Sequence, residues 1–246
     1  MNIQPIKTNR ISEKQSLENF VDAFLPKLEE NTIVVITSKV VSICEGRIVP
    51  QHGISKTELV KQEADYIIPN SASKDERIIL TYKDHLLIPS AGIDESNSNG
   101  NYILYPKNPF TSAQNLCEHL KKKHRLKNIG ILITDSHTTP LRKGVTGIAL
   151  AWWGFSPIAS CIGKQDLFGY PLRVTNINVA DALAVSAVFN MGESSECTPI
   201  ALITLAPHVS FDNDIHKIEE ICIEPQVDLY YPLLKNLLPK GSNEDL

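Results

Sequence analysis

The sequence predicts a mixed α/β protein of the α+β kind, on three observations. Continuous apolar, β-branched runs at Thr32–Thr37, Ile129–Thr134 and Pro199–Thr204 read as strands buried on both faces. Elsewhere apolar residues recur at helical spacing, as in Leu17, Phe20, Val21, Phe24 and Leu28, and again in Ala113, Leu116, Cys117 and Leu120. Neither GxxxxGK[ST] nor GxGxxG occurs, so a P-loop and a Rossmann nucleotide site are both excluded. At 246 residues, 42% of them hydrophobic, the chain can bury a sizeable core. Without an internal repeat or low-complexity linker it reads as one domain, 1–246.

In order, Asn2–Ile6 is strand-like, and Ser12 with Gln15 offers a capping box for the first helix, which Pro26 limits. Thr32–Thr37 is a strand that releases Ser38 and Lys39 into a turn. That turn could hold phosphate, although a plain strand-to-helix transition is the simpler reading. Residues Ser55 to Ile68 read as a helix closed by Pro69-Asn70, and Arg77–Thr81 with His85–Ile88 as a hairpin around Tyr82-Lys83-Asp84. Tyr102–Tyr105 is a strand, and Thr111 with Gln114 caps the next helix. Asn178 to Met191 is an Ala-rich helix whose small side chains permit close packing, and the tail from Phe211 is acidic, then amphipathic through Leu229, Tyr230, Leu233, Leu234 and Leu237.

A formal net charge of −4 argues against a nucleic-acid-coating role, and the one basic cluster, 121–125, falls at a helix end where cations suit the dipole. Five scattered cysteines make no CxxC pair and fit reduced thiols. No signal peptide and no membrane-length apolar run are present, so a cytoplasmic protein with neither nucleic-acid nor membrane partner is expected.

The chemistry concentrates at 129–144. There a buried strand gives way to Asp135, Ser136, His137, Thr138 and Thr139, followed by Arg142 and Lys143. An acid and hydroxyls on a rigid edge suit Mg²⁺ or Mn²⁺, and the two cations suit anionic oxygens such as phosphate. The alternative is that Asp135 merely caps a turn before Pro140. Two more acid-bearing loops, at Asp94 and Glu193, adjoin other strand or helix ends. Three carboxylates meeting in one place would require cations, which points to metal-dependent phosphate chemistry.

Seven motifs in order carry a resemblance. They are Thr37-Ser-Lys-Val-Val-Ser42 with Glu45-Gly-Arg47, Ala91-Gly-Ile-Asp94-Glu-Ser96-Asn97, Ile133-Thr-Asp135-Ser136, Arg142-Lys-Gly144, Gly163-Lys-Gln-Asp166-Leu-Phe-Gly169, Val179-Ala-Asp181 and Met191-Gly-Glu193. Together they resemble the γ-glutamyl ligases typified by coenzyme F420-0:L-glutamate ligase over about residues 2–210, leaving 211–246 as an uncovered tail. The resemblance implies a fold of two interleaved subdomains, a homodimer, and an amide synthetase. Such an enzyme uses GTP or ATP with Mg²⁺ or Mn²⁺ to join L-glutamate to a carboxylate through an acyl-phosphate. It also implies a metal at Asp94 and Asp135, a second at Ser136 and Glu193, and catalytic roles for Asp135 and Arg142. Nucleotide contacts would come from Ser38, Lys39, Asn97 and the 191–198 loop, with Met191, Gly192 and Thr198.

Departures from the pattern bear on the acceptor. Deazaflavin-coenzyme ligases usually read Ser-Lys-Ala-Glu-Gly-Arg where this chain has Ser42-Ile43-Cys44-Glu45-Gly46-Arg47, so Lys39 would have to stand in for a lysine. His137-Thr138-Thr139-Pro140-Leu141-Arg142 replaces Phe-Gly-Arg-Pro-Trp-Arg. These changes, with Trp152, Trp153 and Phe155, resemble the folate-metabolism γ-glutamate ligase branch, in which a flat pterin could stack on aromatics. The expected acceptor is therefore folate-type, with the deazaflavin coenzyme as alternative, and core packing is the other reading of the aromatic cluster. A non-catalytic nucleotide-binding regulator, suggested by Ile43 and Thr139, is the competing class.

Overall fold

The computed structural model describes residues 1–11, 15–69 and 78–235. In chain order its elements begin with β1 (Asn2–Ile6), α1 (Leu17–Phe24), β2 (Thr32–Thr37), α2 (Ser38–Cys44), β3 (Ile48–Pro50) and α3 (Lys56–Glu63). Next come β4 (Tyr66–Ile67), β5 (Leu80–Lys83), β6 (Leu86–Pro89), β7 (Asn101–Ile103), α4 (Pro109–His124), β8 (Ile129–His137) and β9 (Thr146–Trp153). The last are β10 (Ile158–Ser160), β11 (Asn176–Asn178), α5 (Val179–Met191), β12 (Ile200–Thr204) and α6 (Tyr231–Leu234). The fold is mixed α/β and divides into two compact units, Met1–Arg47 with Pro106–Ile221, and Ile48–Tyr105 with Cys222–Leu246.

The first unit is built on a five-stranded sheet in the order β1-β12-β2-β8-β9, antiparallel except for the parallel pair β2 and β8. Ile33, Val35, Leu132, Ala149, Trp152, Ala201 and Ile203 pack with Val179, Ala180, Leu183, Ala184, Ala187 and Met191 of α5. By strand alternation Val34, Ile36, Ile131 and Ile133 face the other way, and they are just as inaccessible, so the central strands are covered on both faces. Each such side chain removed from water contributes about 1.5–3 kcal/mol. A bulge interrupts the β8–β9 ladder: Ile133 pairs with Ala151 and Thr134 with Ala149, which leaves Leu150 extra.

In the second unit Leu59, Val60, Ala91, Ile93, Tyr102 and Leu104 form the core beside the sheets β4-β5-β6 and β3-β7. Ser55 and Glu58 form a complete capping box on α3. After β6 the backbone makes an unusual turn in which Ser90, Ala91 and Gly92 all have positive φ (52°, 52° and 70°). A Cβ on Gly92 would lie 2.1 Å from the Tyr105 ring, so only glycine fits. The buried Thr81 hydroxyl pins this turn, donating to the Ile88 carbonyl (2.7 Å) and accepting from the Ala91 N–H (2.9 Å).

Several boundaries differ from expectation. Strand β8 runs on through Asp135, Ser136 and His137, because β9 supplies Ile148, Gly147 and Thr146 as partners. Helix α3 stops at Glu63, since Tyr66-Ile67 is recruited by β5. The hairpin turn is Asp84-His85, both with positive φ as a two-residue turn requires, and Tyr82 and Lys83 are still in the strand. Helix α4 begins at Pro109 behind Asn108, not at a Thr111 cap. Ser12, proposed for the first cap, lies outside the described residues, as do Asn70, Arg77 and Leu237. The observed cap of α1 is Ser16, whose hydroxyl accepts from the Asn19 N–H at 3.2 Å. Among the described residues no helix is long and apolar enough to cross a membrane.

Candidate functional site

The sheet registers bring most of the expected site residues to one end of the first unit. The last β2–β8 pair is Thr37 with Thr134, so Ser38-Lys39 turns into α2 beside the point where β8 continues as Asp135-Ser136. Ligands gather outside the carboxyl ends of parallel strands for this reason. Antiparallel β12 enters the sheet at the same end, with Ile200 opposite Ile36 and the Thr37 N–H bonded to the Pro199 carbonyl (3.1 Å). That delivers the Gly192–Thr198 loop to the site. The loop is closed by the Thr198 hydroxyl, which donates to the Met191 carbonyl, and by the Ser194 N–H, which donates to Glu196 (2.8 Å).

Within this region the Ser136 hydroxyl lies 2.7 Å from Glu193 Oε1 and 3.0 Å from Oε2, and it donates to that carboxylate. Asp135 precedes Ser136 in β8 and is half-buried. Hard oxygen donors on a rigid strand and a helix-end loop fit Mg²⁺ or Mn²⁺, so the donor set is compatible with the expected ion. Among the described residues no group of three or more His, Cys, Asp and Glu side chains is placed to hold a metal. Asp94 belongs to the second unit, where its backbone pairs with Ile103 and its carboxylate accepts from the Ser96 N–H (2.7 Å) and hydroxyl (2.8 Å). Asn97 follows in the same loop with φ 54°.

The remaining expected residues divide by exposure. Lys39 lies in the first turn of α2, and Arg142 is exposed in a turn closed by its own N–H to the Thr139 carbonyl (3.2 Å). Ser38 is only 4% exposed, so its hydroxyl is covered, and the Met191 side chain belongs to the core. What these two can present to a ligand is main chain. Burial pushes the Cys44 thiol up to about 12, with Glu18 and Glu45 adding to it, and the Cys117 thiol up to about 11. Neither is a nucleophile near neutrality.

Trp152 and Phe155 are fully inaccessible. Trp152 meets Phe110 edge-on at 5.1 Å and its indole N–H donates to Glu220 (3.1 Å), while Trp153 stacks edge-on against His216. The aromatic cluster is therefore core, and the pterin-stacking reading fails for it. Two motif residues that had no expected role acquire structural ones. Glu45 accepts from the Lys107 N–H (2.6 Å) and the Ser112 hydroxyl (2.7 Å), and Asp181 accepts from the Ala149 N–H (2.9 Å). The only trace of the latter in the sequence is Asn178 followed three positions later by an acid.

Comparison with known proteins places these observations. A family model described as F420-0:Gamma-glutamyl ligase matches residues 5–204. The chain is 31% identical over 210 residues to a coenzyme F420:L-glutamate ligase of Methanococcus maripaludis, spanning 80% of this chain and 84% of the relative. It is 32% identical over 200 residues to the protein of that name from Methanocaldococcus jannaschii (76% and 80% covered) and 29% over 220 residues to that of Methanopyrus kandleri (83% and 87%).

Proposed function

We propose a reaction for this chain from one premise: it belongs to the F420-0:gamma-glutamyl ligase family. As a ligase of that family it would join L-glutamate to an acceptor carboxylate. GTP or ATP transfers its terminal phosphoryl group to a carboxylate oxygen of the acceptor. The glutamate amine then attacks the acyl-phosphate, phosphate leaves, and the amine proton is lost as the amide forms. Asp135, Ser136 and Glu193 would hold Mg²⁺ or Mn²⁺, and bound metal offsets charge on the phosphates. Lys39 and the main chain of Ser38 and of the Met191–Thr198 loop, Gly192 and Thr198 included, would contact the nucleotide. Arg142 would hold anionic oxygens of the transferred group.

The observation that supports this most directly is the contact between Ser136 and Glu193, two motif residues from distant parts of the chain. For the acceptor, the relatives' shared name favours coenzyme F420 over a folate, and the core burial of Trp152 and Phe155 removes one reason for the folate reading. A second copy is the proposed partner, since α5 carries exposed Val185 and Phe189 opposite its buried face. Incubating the protein with L-glutamate, GTP or ATP, Mn²⁺ and the deazaflavin coenzyme or a folate should add one glutamyl mass to the former. Extension of the folate alone would reverse the acceptor, and no nucleotide-dependent product with either would sink the ligase reading. Sedimentation tests the dimer.

A further inference from the structure

Next to the extra residue Leu150 of the β9 bulge, the Ala149 N–H donates to Asp181 Oδ1 at 2.9 Å. The other carboxylate oxygen of Asp181 accepts from the Asn178 amide (2.6 Å), and Asn178 in turn accepts from the Asp181 N–H (3.0 Å). Asn178 thus caps α5, and the Asp181 side chain ties the helix's first turn to the bulged strand. Two residues along β9, Gly147 lies so close to α5 that a Cβ there would be 2.3 Å from the Ala184 carbonyl oxygen. Gly147 is the partner of Ser136 in β8. At the far end α5 stops with Gly192, whose N–H bonds the Val188 carbonyl, and the next residue is Glu193.

We propose that Asp181 is a positioning residue of the reaction: by fixing α5 along the bulged strand β9 it sets where Glu193 stands relative to Ser136. A rigid helix transmits a shift at its first turn to its last, because its backbone hydrogen bonds keep 1.5 Å of rise per residue. Release of the Asp181 anchor lets α5 slide or tilt, and the Glu193 carboxylate moves off the Ser136 hydroxyl. Gly147 works from the strand side, since its missing side chain lets the helix sit at backbone distance. The inference rests on the proposed metal role of Glu193.

The test is Mn²⁺ binding, measured by electron paramagnetic resonance without nucleotide or substrates, on the whole chain. Asp181→Ala should weaken Mn²⁺ binding about tenfold or more, as losses behind a metal ligand do. Asp181→Asn keeps an oxygen for the Ala149 N–H and should recover most of the affinity. Ser16→Ala, which uncaps α1 away from the site, should lower the melting temperature and leave Mn²⁺ binding unchanged. Wild-type affinity in Asp181→Ala, or an equal loss in Ser16→Ala, overturns the positioning role. Glu193→Gln separates the two readings: if it binds Mn²⁺ as the wild type does, the metal assignment of Glu193 falls. The positioning claim is then decided by crystal structures, in which a Ser136–Glu193 hydrogen bond retained by Asp181→Ala overturns it. Should Asp181→Ala fail to fold, Asp181→Asn and Gly147→Ala carry the comparison, and wild-type Mn²⁺ affinity in Gly147→Ala counts against the proposal.

Discussion

Ser136 and Glu193 are separated by 57 positions in sequence, yet one hydroxyl touches both oxygens of one carboxylate, at 2.7 and 3.0 Å. A serine hydroxyl that donates its proton still has lone pairs to offer, so the two residues can close on a cation without rebuilding the strand. Glu193→Gln keeps the size and removes the charge. Its metal activation constant should rise by about tenfold or more, while the melting temperature stays near wild type because the residue is exposed. An unchanged constant would take Glu193 out of the site.

Asp135→Asn makes the sharper test of the same strand. The backbone pairing of Asp135 with Ile148 is indifferent to the side chain, so folding should be preserved. Turnover should drop by about two orders of magnitude if the carboxylate stabilises charge in the transition state. Near wild-type ligase activity would leave Asp135 as a structural residue only.

The left-handed turn at Ser90–Gly92 predicts a stability effect in the second unit. Thr81→Val leaves the buried Ala91 N–H without its acceptor and should cost about 1–3 kcal/mol in urea unfolding. Thr81→Ser, which keeps the hydroxyl, should recover most of it. Equal stability of valine and threonine would show that the turn does not depend on this bond.

His124 gives a pH prediction. Its Nδ1 accepts from the Leu28 N–H at 3.3 Å, which needs the neutral ring, and burial and then Lys123 hold it below the ordinary 6.5. The unfolded chain therefore binds this proton more readily than the native one. The stabilisation is full above pH 6.5 and is lost as pH falls through the lower native value. His124→Asn should show a flatter dependence of stability between about pH 7 and about pH 5, and parallel curves would exclude His124 as the titrating group.

Much of the first unit could be read from the chain, because strands such as Thr32–Thr37 are buried on both faces and leave an unbroken apolar run. The helical positions Ala113, Leu116, Cys117 and Leu120 are all buried as their spacing implied. Asp135 lay in view, but the strand end beyond it did not: whether β8 stops at Thr134 or His137 depends on β9, which local sequence does not encode. Tyr66-Ile67 was lost to a helix for the same reason, a strand of two residues having no period of its own. In the site, the oxygen donors were recognisable by type, whereas the covered hydroxyl of Ser38 and the anchoring of Asp181 are products of packing. Nothing in an i, i+3 pair of Asn and Asp foretells that the acid will meet a bulge in another strand.

The parallel pairing of β2 with β8 has a kinetic consequence. Thr32 must find Ile129 across the whole stretch 48–105, so this central pairing is far less local than the neighbouring β8–β9 hairpin. Closing so long a loop costs entropy before any contact rewards it, which slows folding. The β8–β9 hairpin has no such detour, and pulse-labelled amide exchange should find it protected before β2, with simultaneous protection arguing against this order. The residues proposed for the metal and the nucleotide would then be laid down in two stages. Asp135 and Ser136 come with the early hairpin, and Lys39 arrives only when β2 has closed that long loop onto β8.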